Sequence, residues 1–168
     1  MSAKKLETER LLLLPFTIRL CQMVNEKDFE GLVHEGLFPG VGYPDQETLE
    51  TIPKIIKNLE LVTDPTGFES WLIINKKEMA IIGDIGFKGI PNSSGEVDLG
   101  YGIIESERRK GYALEAATAL SNWALSHPDV KKITAKCLID NNGSAKILEK
   151  LDFKRTARDN NMQHWSLD

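Results

Sequence analysis

The chain has 168 residues, a length typical of one domain with a complete hydrophobic core. Hydrophobic residues make up 41% of it and charged residues 27%, which excludes collagen-like, disordered and low-complexity proteins. The formal net charge is -4, from 21 lysines and arginines against 25 aspartates and glutamates, so extended binding to the phosphates of a nucleic acid is not expected.

The sequence indicates neither a membrane protein nor a secreted one. Its longest apolar stretch, residues 11–16, is far below the roughly 20 residues that a transmembrane helix needs. Lys4 and Lys5 are followed by acidic residues instead of the apolar region of a secretory signal. Cys21 and Cys137 are too few for a disulfide framework and lack the paired spacing of metal ligands. We therefore expect a cytoplasmic protein that needs no metal, membrane or nucleic acid.

The N-terminal half predicts one strand, three helices and a long loop. In chain order these are a strand over residues 8–14, helices near residues 18–24 and 29–33, a loop over residues 35–45 and a helix from Thr51. Apolar residues at the i, i+3, i+4 and i+7 positions from Ile52 to Leu59 give this last helix one buried face. We expect Pro53 in its first turn, where the missing N–H donor costs nothing.

The C-terminal half predicts three consecutive antiparallel strands and then alternating helices and strands. The strands cover residues 70–74, 79–88 and 96–104, followed by a helix at 112–126, a strand at 132–139, a helix at 144–151 and a final strand or hairpin from Phe153. This order predicts a mixed α/β sheet with helices on both faces. Without an internal repeat or linker, residues 1–168 are expected to form a single domain.

The most informative segment, residues 100–116, runs from a strand through a basic loop into the start of a helix. Gly111 lies just before that helix, where the absence of a side chain lets a ligand approach the backbone. Free N–H groups and the helix dipole suit a pyrophosphate there, and Arg108, Arg109 and Lys110 add positive charge. For the basic tripeptide alone, a solvated turn is the alternative interpretation.

Two common nucleotide-binding motifs do not match this loop. A P-loop needs a lysine directly after its last glycine, whereas Tyr112 follows Gly111. A dinucleotide-binding fingerprint needs a glycine at the position of Glu105. A phosphate ligand of another class is therefore expected.

The loop matches the pattern Arg/Gln-x-x-Gly-x-Gly/Ala at Arg108, Gly111 and Ala113, and here the sequence resembles the GNAT family of acetyl-CoA-dependent N-acetyltransferases. A second block, residues 141–153, is similar to the family segment Asn-x-x-Ser-x-x-x-Leu-Glu-Lys-Leu-Gly-Phe. Further segments resemble the RimJ/RimL-like branch, which acetylates the N-termini of ribosomal proteins. They are residues 8–11, 100–101 and 111–116.

The resemblance implies the GNAT acyl-CoA N-acyltransferase fold, in which a twisted mixed sheet has splayed central strands that admit acetyl-CoA. It implies that the main chain at Ile103 and Ile104 pairs with the pantetheine arm, and that Asn141 contacts the same arm. Ser144 lies where family members place a hydroxyl near the thioester sulfur, although asparagine and serine are also common helix caps. The residues whose backbone is implied to hold the pyrophosphate are Arg108, Arg109, Lys110, Gly111, Tyr112 and Ala113.

Two features depart from the family pattern. Asp152 replaces the usual glycine before Phe153, which predicts an altered turn that leaves the cofactor groups intact. The tail after Phe153 is only 15 residues long, from position 154 to position 168, so a short last hairpin is expected. The acceptor contacts that this region supplies in the family are therefore in question.

The implied reaction is direct attack of a neutral primary amine on a thioester in a ternary complex. An α-amine, with a reference pKa of about 8, asks less of a base than a lysine amine at about 10.4. Asp98 occupies a place where the branch often has glutamate, and strand alternation puts it on one face with Glu96, Gly100 and Gly102. We predict that Asp98 is the base or the amine anchor; a solvated carboxylate is the alternative.

The sequence thus predicts an acyltransferase that moves acetyl from acetyl-CoA to a primary amine, with a protein N-terminal α-amine favoured by the branch resemblance. Acetylation of a small-molecule amine, such as an amino acid, polyamine or aminoglycoside, stays open. A non-catalytic acyl-CoA-binding sensor and a nucleotide-binding module are competing hypotheses. A monomer or a homodimer is expected.

Overall fold

The computed structural model describes residues 4–168, and within them nine strands form one mixed sheet with helices on both faces. The strands are β1 (Leu6–Glu7), β2 (Leu11–Pro15), β3 (Phe38–Pro39), β4 (Ser70–Asn75), β5 (Ala80–Phe87), β6 (Glu96–Ile103), β7 (Lys132–Leu138), β8 (Lys154–Arg158) and β9 (Met162–Leu167). The helices are α1 (Ile18–Asn25), α2 (Phe29–His34), α3 (Gln46–Glu60), α4 (Tyr112–Leu125) and α5 (Asn142–Lys150). A 3-10 turn, Glu105–Glu107, lies between β6 and α4. The predicted absence of a secretory signal concerns in part residues 1–3, which lie outside the described residues.

The sheet has the strand order β1-β2-β4-β5-β6-β7-β9-β8, and β3 adds a short parallel pair with the start of β5. Strands β4 and β5 lie in the middle and are nearly continuous apolar runs, as expected of strands covered on both faces. The three predicted antiparallel strands are β4, β5 and β6. The predicted mixed sheet with helices on both faces is confirmed.

The two central strands β6 and β7 run parallel and then separate. They pair from Glu96 opposite Lys132 to Leu99 opposite Ala135. Beyond this point β6 pairs only with β5, and β7 pairs only with β9. The splay predicted for the central strands is therefore present, and residues 100–103 of β6 have one edge that no described strand covers.

The start of α3 corrects one prediction. The helix begins at Gln46, where Oδ1 of Asp45 accepts a hydrogen bond of 2.9 Å from the Thr48 N–H. Pro53 therefore lies inside α3 and not in its first turn. Its ring is exposed to solvent. The backbone hydrogen bond that proline cannot donate is therefore missing on the solvent side of α3, where the hydrogen bonds of a curved helix are already longer. The prediction missed the aspartate cap at Asp45, eight residues before Pro53.

The turn after α5 keeps the form that glycine would give it. Asp152 has a φ of 67°, in the left-handed region, where aspartate is tolerated better than most residues. The Phe153 N–H donates to the Leu148 carbonyl and the Asp152 N–H donates to the Glu149 carbonyl, each at 3.0 Å, which is a Schellman motif. The predicted alteration of this turn is therefore not present.

Candidate functional site

Helix α4 begins without a side-chain cap. Its first residue follows Gly111, which has a φ of 83° and no side chain to accept a hydrogen bond. Each other helix in the described residues has a capping side chain; these are Thr17, Asp28, Asp45 and Asn141. The N–H groups of the first turn of α4 therefore carry the positive end of the helix dipole without a protein acceptor, which suits an anion.

The backbone of the basic loop is bent by left-handed residues. Arg109 has a φ of 65°, and Gly111 follows two positions later with its φ of 83°. Turns of this kind gather N–H groups into a concave surface that binds anions. A Cβ at Gly111 would lie 3.3 Å from Nη2 of Arg10, so the position is restricted by space as well as by conformation.

The three basic side chains of the loop have different roles. Nε of Arg108 donates to the Ile103 carbonyl at 2.8 Å, which ties the loop to the end of β6. Nζ of Lys110 lies 3.0 Å from Glu107, and this hydrogen bond raises the pKa of Lys110. Arg109 is exposed and makes no ion pair within residues 4–168. Arg109 is therefore the cation of the loop whose guanidinium has neither a hydrogen bond nor an ion pair within these residues, while Arg108 keeps an unpaired charge.

A cavity of about 690 Å³, here named the α4 cavity, opens at this loop and reaches α5. It lies next to the uncovered edge of β6. Its walls include these sequence-predicted residues: Ile103, Arg108, Arg109, Gly111, Tyr112, Ala113, Asn141 and Ser144. The structure therefore brings together eight of the eleven residues predicted for the site.

Two predicted residues lie beside the α4 cavity without lining it. Ile104 is buried, and its N–H donates to the Ile82 carbonyl at 2.9 Å. Lys110 contributes its carbonyl to a 2.9 Å hydrogen bond from Nη1 of Arg10. Both residues fix the backbone around the cavity.

At the far wall of the α4 cavity, Asn141 caps α5 by accepting a 3.0 Å hydrogen bond from the Ser144 N–H. The capping role considered from the sequence is therefore present, and both residues line the cavity as well. The Tyr101 hydroxyl lies 3.5 Å from the Ser144 carbonyl, and burial raises the pKa of Tyr101. The tyrosine hydroxyl therefore remains protonated at neutral pH.

The predicted base Asp98 lies elsewhere. Its carboxylate accepts a 2.7 Å hydrogen bond from the Thr134 hydroxyl and forms an ion pair with Nζ of Lys88. It lines a separate cavity of about 430 Å³ over β6, β7 and β9. The structure does not bring Asp98 to the α4 cavity.

A third cavity, of about 440 Å³ and here named the α3 cavity, lies between α3 and the strands β5 and β6. Tyr101 lines both this cavity and the α4 cavity, so the two meet where β6 leaves β7. A Cβ built at Gly100 or at Gly102 meets no atom within 4 Å. These two glycines therefore leave the floor of the α3 cavity open.

Asp84 is the one carboxylate that lines the α3 cavity. It lies in the middle of β5 and makes neither a side-chain hydrogen bond nor an ion pair within the described part of the chain. Burial, together with the nearby charges of Asp45 and Glu47, raises the pKa of Asp84 to about 7. A carboxyl with this pKa exchanges a proton readily near neutral pH.

Three features of the site were not predicted from the sequence. Asp84 was detectable as a lone acidic residue in an otherwise apolar and glycine-containing strand. Lys146 and Lys150 add charge to the α4 cavity, and their i,i+4 spacing predicts a shared helix face. Arg10 was noticed as part of a family segment and not as a residue that contacts the basic loop.

Within residues 4–168, no group of three or more histidine, cysteine, aspartate or glutamate side chains is arranged to hold a metal ion. No helix among these residues is long and apolar enough to cross a membrane.

The comparisons with known proteins agree on one family. Residues 10–154 match the family model described as the acetyltransferase (GNAT) domain. A protein of Bacillus subtilis strain 168 named "Uncharacterized N-acetyltransferase YjdG" is 38% identical over 160 residues, which cover 95% of each chain.

Solved structures show the same fold at lower identity. An acetyltransferase from Agrobacterium tumefaciens has a TM-score of 0.69 and 24% identity, over 100% of this chain and 96% of that one. RimL, a ribosomal L7/L12 alpha-N-protein acetyltransferase in complex with coenzyme A, has a TM-score of 0.69 and 15% identity, over 98% of this chain and 97% of that one. On the family match and the identity to the Bacillus subtilis protein, this chain belongs to the GNAT family of N-acetyltransferases.

Proposed function

We propose that this GNAT enzyme binds acetyl-CoA in the α4 cavity and transfers the acetyl group to the α-amine of a protein N-terminus. The observation that carries the cofactor assignment is the uncapped start of α4, which opens into a cavity of about 690 Å³ beside the uncovered edge of β6. GNAT acetyltransferases use acetyl-CoA and an amine acceptor.

The residues of the α4 cavity fit the charges of coenzyme A. Its pyrophosphate would be held by the first-turn N–H groups of α4, with Arg109 supplying a cation. Lys146 and Lys150 on the opposite wall would bind further phosphate oxygens. Because these cations line one cavity, binding of an anion would reduce the repulsion between them.

The arm of the cofactor would lie along the uncovered edge of β6 near Ile103, with Asn141 on the facing wall. Unpaired strand edges form hydrogen bonds with amide groups, which the pantetheine arm contains. When bound, acetyl-CoA supplies an activated acyl group as a thioester. The Ser144 side chain would lie near the sulfur and stabilise the departing thiol.

The proposed acceptor is an α-amine because its reference pKa of about 8 leaves a substantial neutral fraction at physiological pH. A lysine amine, at about 10.4, would need much stronger deprotonation. The acceptor would reach the thioester from the α3 cavity, which meets the α4 cavity at Tyr101. The fold shared with RimL is compatible with this acceptor class.

Cofactor binding is tested by titrating the protein with acetyl-CoA in a calorimeter. The variant Arg109→Glu reverses an exposed charge in the basic loop, and it should weaken binding at least about tenfold through repulsion of the pyrophosphate. Arg155→Glu makes the same change at an exposed position of β8 and should leave binding unchanged. Equal affinities of the two variants would contradict the pyrophosphate assignment. Competition by ATP or NAD as strong as that by CoA would favour a nucleotide-binding module.

Activity is tested by thiol release from acetyl-CoA in the presence of N-terminal peptides, amino acids, polyamines and aminoglycosides. Turnover on peptides with a free α-amine, removed by blocking that amine, would support the proposal. Turnover confined to small amines would contradict the peptide acceptor but would still support acetyl transfer to an amine. Binding without turnover on any amine would support an acyl-CoA sensor and contradict the proposed transfer.

A further inference from the structure

The α3 cavity has opposite charges at its two ends. One face of α3, repeating at i, i+3, i+4 and i+7 from Thr51 to Asn58, forms one wall. The opposite wall contains Asp84 and Gly86 of β5 and Lys88, which directly follows this strand. Along β5, Asp84 lies about 13 Å from Lys88, at roughly 3.3 Å per residue. The cavity is therefore long enough for an extended acceptor with distinct ends.

The inner end is acidic and adjoins the splay. Asp84 lies opposite Gly102 in the β5–β6 ladder, beside the point where the two cavities meet. Asp45 and Glu47, at the start of α3, act on the same carboxylate, and Glu47 also lines the α4 cavity. A cation entering the α3 cavity is therefore attracted to the end next to the thioester.

The outer end is basic. Lys54 and Lys57 of α3 line it and form no ion pair within the described residues, while Lys88, just after β5, lines it and pairs with Asp98. Three lysines in a protein whose formal net charge is -4 give this end a sign opposite to that of the whole chain. A polyamine or an aminoglycoside would place several positive charges beside these lysines, which disfavours such an acceptor.

We propose that Asp84 receives the amine of the acceptor and serves as its base, while Lys54 and Lys57 bind an anionic group about 10 Å farther along the same acceptor. This inference rests on the proposed acetyl transfer and names its acceptor chemistry. The N-terminus of a peptide with acidic side chains at its third and fourth residues has this chemistry. Such a peptide, extended from Asp84, brings those side chains to the level of the lysines.

The proton balance is as follows. An acceptor ammonium first gives one proton to Asp84, which frees the lone pair on nitrogen. A C–N bond then forms and the C–S bond breaks, the nitrogen loses a second proton, and the departing sulfur gains one. Asp84 finally returns its proton to solvent, so one proton is released for each amide formed from an ammonium.

The groups that face Asp84 from each packed element set the pH at which it accepts a proton. In addition to the residues of the two ends, Cys21 of α1 and Tyr43 of the loop before α3 lie close enough for the charge on Asp84 to raise their pKa values. Neither is charged near neutral pH. The pKa of Asp84 is therefore set by burial and by the charges of Asp45 and Glu47 at the inner end.

The test of the base is Asp84→Asn, compared with Asp64→Asn at an exposed position after α3. Asp84→Asn should lower kcat/KM for the amine about 100-fold or more and remove the rise of kcat/KM through pH 7. Acetyl-CoA affinity, measured by calorimetry, should stay unchanged in both variants, which separates this test from that of the proposed function. If Asp84→Asn keeps its activity and pH profile while Asp98→Asn loses them, Asp98 is the base and the proposal is overturned.

The test of the acceptor uses the peptides Ser-Ala-Glu-Glu, Ser-Ala-Gln-Gln and Ser-Ala-Lys-Lys, each with an amidated C-terminus, together with free glutamate and spermidine. At low salt the acidic peptide should exceed the lysine peptide about tenfold in kcat/KM, and high salt should reduce the difference. The double variant Lys54→Ser/Lys57→Ser should abolish the preference, so that the acidic and the glutamine peptide have similar kcat/KM values. A higher kcat/KM for spermidine, or a preference unaffected by the double variant, would overturn the assignment of the basic end.

Discussion

Arg10 and Glu115 are 105 positions apart in the chain and are joined by a contact of 2.7 Å between Nε of Arg10 and Oε1 of Glu115. The same carboxylate accepts hydrogen bonds from the Thr8 hydroxyl and, at 2.9 Å, from the Arg10 N–H. The Arg10 guanidinium also lies 4.4 Å from the centre of the Tyr112 ring. The residues before β2 thus fix the first turn of α4 and the loop before it.

Replacing Glu115 with alanine should therefore damage the cofactor site without touching the cofactor. Loss of the contacts to Thr8 and Arg10 leaves the basic loop less ordered, so acetyl-CoA affinity should fall about tenfold, or by about 1.4 kcal/mol. The melting temperature should fall by at least about 3 °C, since about 1 kcal/mol corresponds to 2–4 °C for a domain of this size. Calorimetry and thermal denaturation check these values, with exposed Glu60→Ala as the control. Unchanged affinity would contradict the positioning role.

Acid should remove the stability that ionised Glu115 contributes through its contacts with Thr8 and Arg10. Burial opposes ionisation of Glu115, but the hydrogen bonds from Thr8 and Arg10 lower its pKa below the ordinary value of 4.5. A carboxyl whose pKa is lowered by folding stabilises the native state above its unfolded pKa, and this stabilisation is lost as the pH falls through the folded value. Urea unfolding at pH 7 and pH 3 should show a smaller difference between wild type and Glu115→Ala at pH 3. A constant difference would exclude the ionised contact as its source.

Asp84 should have the opposite effect on stability. Its pKa is raised from 3.8 to about 7, so its contribution is favourable at low pH and is lost as the pH rises through about 7. Asp84→Asn should therefore stabilise the protein at pH 8 by about 2–4 kcal/mol and have little effect at pH 4. Asp98→Asn, which breaks the pair with Lys88, should bring no such gain. A loss of stability at pH 8 in Asp84→Asn would indicate a structural carboxylate instead of a functional one.

Filling the floor of the α3 cavity should block the acceptor selectively. A Cβ at Gly102 meets no atom within 4 Å, so Gly102→Val is expected to fold normally near the end of β6. The added side chain would lie on the same face as Asp84 and raise the KM for the amine at least about tenfold. Steady-state kinetics would report the KM for the amine in the α3 cavity, and calorimetry would report the affinity for acetyl-CoA in the α4 cavity. An unchanged KM would place the acceptor outside the α3 cavity.

The left-handed turn after α5 predicts a stabilising variant. Asp152 has a φ of 67°, which glycine adopts without the steric cost that a Cβ brings. Asp152→Gly should raise the free energy of unfolding by about 0.5–1 kcal/mol, measured by urea denaturation. Asp140→Gly serves as a comparison for the entropy that any glycine adds to the unfolded chain, because Asp140 does not have a positive φ. Destabilisation by Asp152→Gly would mean that the aspartate side chain itself supports the turn.

Local patterns in the sequence were sufficient to predict the order of strands and helices and the anion site of the basic loop, whereas the splay and the site residues Ile103, Asn141 and Ser144 were implied by the resemblance to the GNAT family. Apolar periodicity located β4 to β7, and the segment from Arg108 to Ala113 carried the anion site in consecutive residues. Pro53 was placed wrongly because the cap at Asp45 depends on a side-chain hydrogen bond that propensity alone does not reveal. Asp84 depends on tertiary structure, since its importance comes from a helix and a neighbouring strand that are distant in sequence.

The four residue pairs that join β6 to β7 divide the sheet into two half-sheets, β1-β2-β4-β5-β6 and β7-β9-β8. The basic loop belongs to the first half-sheet, whereas α5, with Asn141 and Ser144, belongs to the second. A molecule in the α4 cavity contacts both and so adds a link that the polypeptide lacks at this point. Ligand binding is therefore expected to slow amide hydrogen exchange in α5 and β7 more than in the central strand β4, because binding removes the local openings in which these half-sheets part.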